Sequence, residues 1–376
     1  MTEYCLASLL NHLCSGSSSA LKCEILRIRY MSNRTFYSPG LSIFSKLICA
    51  LTLVLIGLGA VVTTKNVGLS VPDWPSSFGY HMWELPFSMW RGGIFYEHFH
   101  RIVASILGIL VLAMTLWVLI KNTRRRVRYL AMGSLAAVVV QGILGGMTVK
   151  YLLPVPVSVF HGVLAQIFFC LNIVLAFELS RERTLRASET NEGAPGQPLR
   201  KMVLLTLFLV AFQLVLAATM RHDIKQQGGV AVPDFPTMTG QWLPRIDADA
   251  VEWVKAWRTD AAELHGAPFS ADDPVQSYQI LIHLMHRTVA LLILVSVIFL
   301  THKARRLRLG GQRIQGAIAV LDALVVLALF LGIFTVLSNK GPLITTLHVV
   351  TGAAILGTCV LLFLRVTSSP LLKPQS

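Results

Sequence analysis

Four histidines stand in two matched pairs. His100 and His161 are separated by the same length of chain, to within one position, as His286 and His348. Each lies close to the start of a long apolar segment, in the settings EHFHR (97–101), SVFHG (158–162), HLMHR (283–287) and TTLHV (345–349). A histidine inside an apolar span is costly unless something uses it, so four in register need a common cause. Axial imidazoles projected from facing helices are a standard way to hold heme iron in a helical bundle, and two pairs predict two six-coordinate hemes. Interhelical hydrogen bonding, or a quinone or proton path, would account for a lone histidine better than for four. The ligands lie on four separate segments, which speaks against zinc or copper.

The elements that must carry these residues are membrane spans. The chain has 376 residues, 54% hydrophobic and 14% charged, where a soluble domain carries about a quarter charged. Eight apolar stretches have the roughly 20 residues a bilayer demands: about 43–63, 100–120, 128–149, 158–179, 201–220, 280–301, 315–337 and 343–365. The fold class expected is therefore an all-α polytopic membrane protein. The net charge of +14 does not mark a nucleic-acid binder, because the basic residues cluster in alternate loops, around 121–128, 181–201 and 303–313. That asymmetry places both termini in the cytoplasm and all four histidines towards the outer face. Six cysteines form no C-x-x-C, and the predicted outer loops contain none.

The two halves repeat with the same orientation. HRIVASILGILVL from His100 aligns with HRTVALLILVSVI from His286, an offset of 186, and His161 aligns with His348 at 187. The same 187 lays LGGMTV (144–149) on LGIFTV (331–336), and VPDWP (71–75) recurs as VPDFP (232–236). Eight spans as two parallel-repeat four-helix bundles are the expected architecture. Its parts are a tail (1–42), an N-terminal half (43–179), a linker (180–200), a C-terminal half (201–366) and a cytoplasmic tail (367–376). Residues 1–42 lack the apolar core of a secretory signal; they read as a cytoplasmic tail, with an over-long start before Met31 as an alternative. The stretch from Pro233 to His286 is much longer than its counterpart from Pro72 to His100. The second outer loop thus carries an insert of about 244–275, read as a cap over the second site.

Glu97 breaks the symmetry. It precedes His100 by three residues and so shares its helix face, while the matching second-half position is His283. A carboxylate beside one site could take a proton or stabilise developing positive charge. Arg101 and Arg287 follow the ligands directly and could pair with heme propionates, or simply snorkel to the interface. His98 alternates with the ligand and reads as interfacial; His81, His222 and His265 read as loop residues, and Asp322 as hydrated and remote. The VPD-W/F-P boxes read as rigid loops in which Asp73 and Asp234 cap a turn.

With Glu97-x-x-His100-Arg101, His161, His286-Arg287, His348, GLSVPDWP, LGGMTV and the duplication in place, the chain resembles the heme A synthase (CtaA/Cox15-type) membrane family from residue 43 to 366. The resemblance implies an oxidoreductase that oxidises a ring methyl of heme O to a formyl group by successive hydroxylations. The product, heme A, would serve cytochrome c oxidase. It implies that His100 and His161 hold the substrate heme with Glu97 as the catalytic group, and that His286 and His348 hold a resident heme B. Implied partners are heme O synthase (the protoheme farnesyltransferase), an electron donor such as ferredoxin or quinol, and the oxidase assembly. Some members carry a cysteine pair in the first outer loop, and this chain has none between residues 65 and 97. A bis-histidine iron has no open position for oxygen, so either a ligand lets go or the methyl is oxidised by electron removal and trapped by water.

The competing reading is a diheme b-type protein that oxidises quinol and changes no heme; Glu97 counts against it. A heme carrier is a third, and clustering of all four histidines at one face supplies no path across. Compact loops favour a bacterial inner membrane over the mitochondrial one.

Overall fold

The computed structural model describes residues 37–186, 199–223, 230–265, 275–306 and 312–367. Among them lie ten α-helices: α1 (Pro39–Thr64), α2 (Gly92–Lys121), α3 (Arg125–Lys150), α4 (Val155–Glu178), α5 (Arg181–Arg186), α6 (Arg200–His222), α7 (Ala248–His265), α8 (Ser277–Arg306), α9 (Gln312–Leu337) and α10 (Pro342–Thr367). All except the short α5 and α7 are long and apolar enough to cross a membrane. Most run past their apolar stretch, because the helix continues through the headgroup region after the hydrocarbon ends. His100 therefore sits eight residues inside α2, not at its first residue.

Local chemistry sets the helix starts. The Ser38 hydroxyl accepts from the Leu41 amide at 3.5 Å with Pro39 in the first turn, and α10 opens on Pro342; both are favoured at a helix N-terminus. α4 carries Pro156 in its first turn. The turns before α4 and α10 are built alike. Leu152 and Leu153 have φ of 56° and 58°, Asn339 and Lys340 of 48° and 65°. In each turn the second residue's amide bonds a threonine carbonyl, Leu153 to Thr148 and Lys340 to Thr335.

In the first half α1 packs on α2 and α4, and α3 on α2 and α4; in the second α6 packs on α8 and α10, and α9 on α8 and α10. The halves meet where α10 lies against α1 and α4, and α4 against α6. α10 is consequently the most enclosed span: 44% of its most apolar stretch is buried, against 17% for α3. Close approach at this seam needs Gly357, where a Cβ would stand 2.8 Å from Ile173 and 2.9 Å from Phe169. Away from the seam, Ile43, Phe160, Phe208 and Leu343 are each 66–71% exposed. Leaving such side chains in water costs about 25 cal/mol per Å², so hydrocarbon is the medium that suits this surface.

At the end of the bundle opposite the four histidines, acidic residues absorb part of the basic excess. Glu178 lies 3.5–3.7 Å from Arg124, Arg126 and Arg183, and Glu182 takes Arg365 at 3.1 Å and Arg313 at 3.7 Å. The second of these clusters ties α5 to α10 across the halves. The insert expected over 244–275 is a helix, α7, followed by residues outside the described set. Its Ala250 and Val254 join Ala231, Val232, Met238, Val275 and Ile280 in a small apolar core.

Candidate functional site

His100 on α2, His161 on α4, His286 on α8 and His348 on α10 all lie near one end of the bundle, each several residues inside its helix. The rings of His286 and His348 face each other with centroids 6.4 Å apart and planes at 66°. Imidazole nitrogen bonds a transition metal at about 2.0–2.1 Å, and the ring centroid lies about 1.1 Å behind that nitrogen, so two axial imidazoles on one metal stand about 6.3 Å apart. The second pair thus has the spacing of a bis-imidazole site. His161 lies within electrostatic reach of His100.

Glycines make room for these rings. A Cβ on Gly59 of α1 would stand 3.2 Å from His100, on Gly145 of α3 3.4 Å from His161, and on Gly332 of α9 3.2 Å from His348. Gly145 and Gly332 occupy the same place in the two copies, in the register that superposes His161 on His348. The His161 ring approaches the backbone of Gln141 and the His348 ring that of Ala328, another pair in that register. Glutamines hold two ligand carbonyls: Gln141 Nε2 donates to His161 O at 3.1 Å and Gln213 Nε2 to His286 O at 2.9 Å. All four Nδ1 atoms are buried without a hydrogen-bond partner among the described residues. Buried imidazoles on four helices, three of them against glycines, with Nδ1 unpartnered among the described residues, fit axial ligation of heme.

The two arginines do something the sequence reading did not assign. Arg101 and Arg287 clamp the VPD boxes. Arg101 Nη1 donates to the carbonyls of Asp73 (2.7 Å) and Ser76 (3.3 Å), and Nη2 to that of Val71 (2.8 Å). Arg287 donates to Asp234 O at 2.7 Å and Thr237 O at 2.9 Å. Asp234 and Thr237 hold the places in the second box that Asp73 and Ser76 hold in the first, so the clamp is duplicated. Within each box the aspartate caps the turn as expected. Asp73 accepts from Ser76 Oγ, Phe78 N and Gly79 N; Asp234 accepts from Thr237 Oγ1, Thr239 N and Gly240 N. Burial works against the Asp73 charge, but these donors outweigh it and hold the carboxyl below the usual carboxylate range. Trp74 of the first box packs on Gly146 of α3, one residue from the glycine that faces His161.

Glu97 is buried and belongs to this clamp. Its Oε1 takes Arg101 Nη2 at 2.5 Å and its Oε2 takes the Val71 amide at 2.9 Å. The second half puts His283 there, buried with Nδ1 unpartnered among the described residues. The first box is thus fastened by a carboxylate as well as a guanidinium.

Four other histidine and acid placements correct, refine or bear out the sequence reading. His98 is not interfacial: it is fully buried, with Nδ1 3.2 Å from Ser77 Oγ and Trp90 edge-on at 4.7 Å. Alternation turns it away from His100, but the box folds over that side. His222 is not a loop residue: it ends α6, and its ring lies 3.6 Å from where a Gly162 Cβ would stand, beside His161. His265 ends α7. Asp322 is remote as expected; it accepts from Thr301 Oγ1 at 2.7 Å. Thr301 lies about 22 Å along α8 from His286, and Thr301 and Asp322 line a cleft of about 360 Å³ near the other end of the bundle.

Among known proteins, the family model described as cytochrome oxidase assembly protein (COX15-CtaA) matches residues 42–360. A heme A synthase of Shewanella oneidensis is 26% identical over 314 residues, covering 77% of this chain and 85% of the relative. One from Neorickettsia sennetsu is 24% identical over 354 residues, covering 85% and 96%. A third, from Halalkalibacterium halodurans, is 26% identical over 216 residues, covering 55% and 67%. With the match running through all four histidines, both boxes and the eight spans, the chain belongs to the COX15-CtaA family of cytochrome oxidase assembly proteins.

Proposed function

We propose that this protein is a heme A synthase, an oxidoreductase that converts heme O to heme A for a cytochrome c oxidase. The observation that carries it is the pairing of buried imidazoles on four helices, with a carboxylate beside one pair only. The relatives named heme A synthase support the reaction. In this reading His100 and His161 hold heme O as substrate, and His286 and His348 hold a resident heme B, which supplies one-electron transfer. Two successive hydroxylations of the ring methyl, each a two-electron oxidation that takes its oxygen atom either from O2 or from water after electron removal to an acceptor, give a gem-diol, and loss of water leaves the formyl group.

The chain's own residues would act as follows. Glu97 is fixed by Arg101 and the Val71 amide through one lone pair on each oxygen. A carboxylate has about four such sites, so Glu97 keeps acceptor capacity for a substrate proton or for positive charge at the methyl. Trp74 and the clamped box close the first site from the bundle end and limit water. The two repeats are read as parallel four-helix bundles, with both termini cytoplasmic in a bacterial inner membrane, as the basic loops indicate. Heme O synthase would supply the substrate, and ferredoxin or a quinol the electrons.

The test is expression with and without a heme O-forming farnesyltransferase, followed by extraction and chromatography of the non-covalent hemes. Heme A should appear only with heme O supply and vanish in Glu97→Ala. Heme B alone in both strains, with unchanged bis-histidine spectra, would sink the synthase reading and leave the diheme electron-transfer protein.

A further inference from the structure

Three consecutive residues at the end of α6 reach three other helices. Arg221 donates to the Ala60 carbonyl and, at 3.3 Å, to Thr64 Oγ1, both on α1. His222 lies against α4: a Cβ on Gly162 would stand 3.6 Å from its Nε2 and 3.9 Å from Ala218, one turn back on the same face of α6. Asp223 accepts from Tyr278 Oη at 2.6 Å and from Gln279 Nε2 at 2.9 Å, both in the first turn of α8. Two of these helices belong to the first half and one to the second.

The contacts on the first half fall beside its histidine pair. Ala60 directly follows Gly59, whose Cβ would meet the His100 ring at 3.2 Å, and Gly162 directly follows His161. Arg221 therefore fastens the segment of α1 against which His100 packs, and His222 backs the turn of α4 that carries His161. The Ala60 carbonyl also accepts from Thr64 Oγ1 at 2.7 Å, so guanidinium, hydroxyl and carbonyl close a triangle across α1 and α6. An arginine at the end of a span ordinarily snorkels to the interface. This one is half-buried and turns into the seam between the halves.

The brace runs one way. In the register of the two boxes Arg221 and His222 correspond to Ala60 and Val61, whose side chains carry no donor. Gly162, against which His222 fits, is Val349 in the second half. Where α6 has Ala218, α1 has Gly57, whose Cβ would stand 3.1 Å from Val350 on α10, an apolar contact. Meanwhile α6 is tied to the span carrying His286, by Asp223 and by Gln213, which bonds the His286 carbonyl. One helix is thus held by the second pair's frame while it presses on the first.

We propose that Arg221 and His222 are positioning residues of the first-half site supplied by the second half. They fix the α1 and α4 flanks of the His100 and His161 pair, and Asp223 fixes them in turn to α8. This rests on the heme reading above. A site that takes up and releases its porphyrin cannot rely on that porphyrin to hold its helices in place, so protein contacts must set the ligand spacing.

The test uses the full chain purified in detergent with its hemes. It is read by electron paramagnetic resonance of the oxidised low-spin irons and by transfer of each heme to excess apomyoglobin. His100→Ala and His348→Ala assign the two signals. Arg221→Gln should shift or broaden the His100-dependent signal and speed loss of that heme about tenfold, the factor for a charge-assisted hydrogen bond near the low end of its range. The His348-dependent signal should stay as it is, although Arg221 belongs to its half of the sequence, and its persistence reports a folded protein. His222→Leu should act in the same direction, and Arg221→Lys, which keeps a donor for the Ala60 carbonyl, should restore most of the signal and rate. If neither histidine variant removes a low-spin heme, the heme reading itself fails. With both hemes present, an unchanged first signal in Arg221→Gln and His222→Leu overturns the brace. So does a change confined to the second heme, or an equal loss of both in His222→Leu, which keeps the hydrogen bonds of Arg221.

Discussion

Replacing Arg101 by leucine is the sharpest probe of how the first site is built. Four contacts go at once: the Asp73, Ser76 and Val71 carbonyls and the Glu97 carboxylate. Glu97 would be left buried with only the Val71 amide, and removing one partner of a buried ion pair costs about 3–5 kcal/mol. Glu97→Leu keeps the three carbonyl contacts and forfeits two charge-assisted bonds, to Arg101 and to the Val71 amide, at about 1.5–3 kcal/mol each. The double variant loses the carbonyl contacts and the Val71 bond but strands no charge, so it should cost no more than Arg101→Leu and that one bond together. The cycle then gives a coupling of about 2–3 kcal/mol, near the top of the range for side chains in contact. Arg287→Leu, which strands no carboxylate and loses two carbonyl contacts, should cost about 2 kcal/mol less than Arg101→Leu. Unfolding by SDS titration in mixed micelles, followed by far-UV circular dichroism, would read all four variants on one scale. Single effects that add to within about 0.5 kcal/mol, or equal costs at Arg101 and Arg287, would refute the clamp as the organising contact.

Three further outcomes follow from the same geometry. Gly332→Ala brings a methyl to 3.2 Å from His348, so the second-half low-spin heme should be lost or its spectrum shifted while the first-half heme stays; an unaltered absorption spectrum would contradict the packing. Asp73 has its carboxyl lowered in the folded state, so its stabilisation is complete above the ordinary carboxylate value of about 3.9 and disappears as pH falls through the lower folded value. Quenching of Trp74 by iodide should accordingly stay constant from neutral pH to about 5 and rise below about 4, and Asp73→Asn should show the raised quenching throughout. Under the proposed function, Trp74→Ala uncovers Gly146 beside the first site and should admit water there, speeding transfer of the first-half heme to excess apomyoglobin several-fold while the second-half heme is lost at its usual rate; unchanged transfer would contradict it.

The eight spans were legible in the sequence because each rests on a long apolar run, and the common depth of the four histidines because their spacing repeats at 186–187. The asymmetry at Glu97 and His283 was legible for the same reason, and the turn-capping role of Asp73 and Asp234 followed from residue type. The destination of the arginines was not. Their partners are backbone carbonyls some 25–53 residues away, and a carbonyl leaves no mark in residue type. The one available signal was that two arginines and two VPD boxes recur together. His98 was misread because strand-like alternation says which way a side chain leaves its helix but not that a loop will fold over it.

What the repeat keeps and what it changes divides along a physical line. The ligands recur at an offset of 186 and the boxes at 161, and the difference is the insertion that carries α7. Despite that insertion, the Arg clamp, the Asp-capped turn, the isolated bridge (Ser77 with Tyr80, Met238 with Gln241) and the glycine at the ring all recur in register. Under the proposed function these are the features that would hold a porphyrin between two imidazoles, and two sites need them twice. The departures sit around the same frame. Glu97 faces Arg101 where the second half has His283; Ser77 meets His98 where the second half packs Met238 in an apolar core with Leu284; Leu153 stands where the second half has Lys340. Each change gives one half a polar or charged group where the other has something different. Under the proposed function, a site that only stores and passes electrons gains from an apolar lid, as over the second pair, and a site that oxidises a methyl needs a carboxylate near the chemistry, as Glu97 provides beside the first.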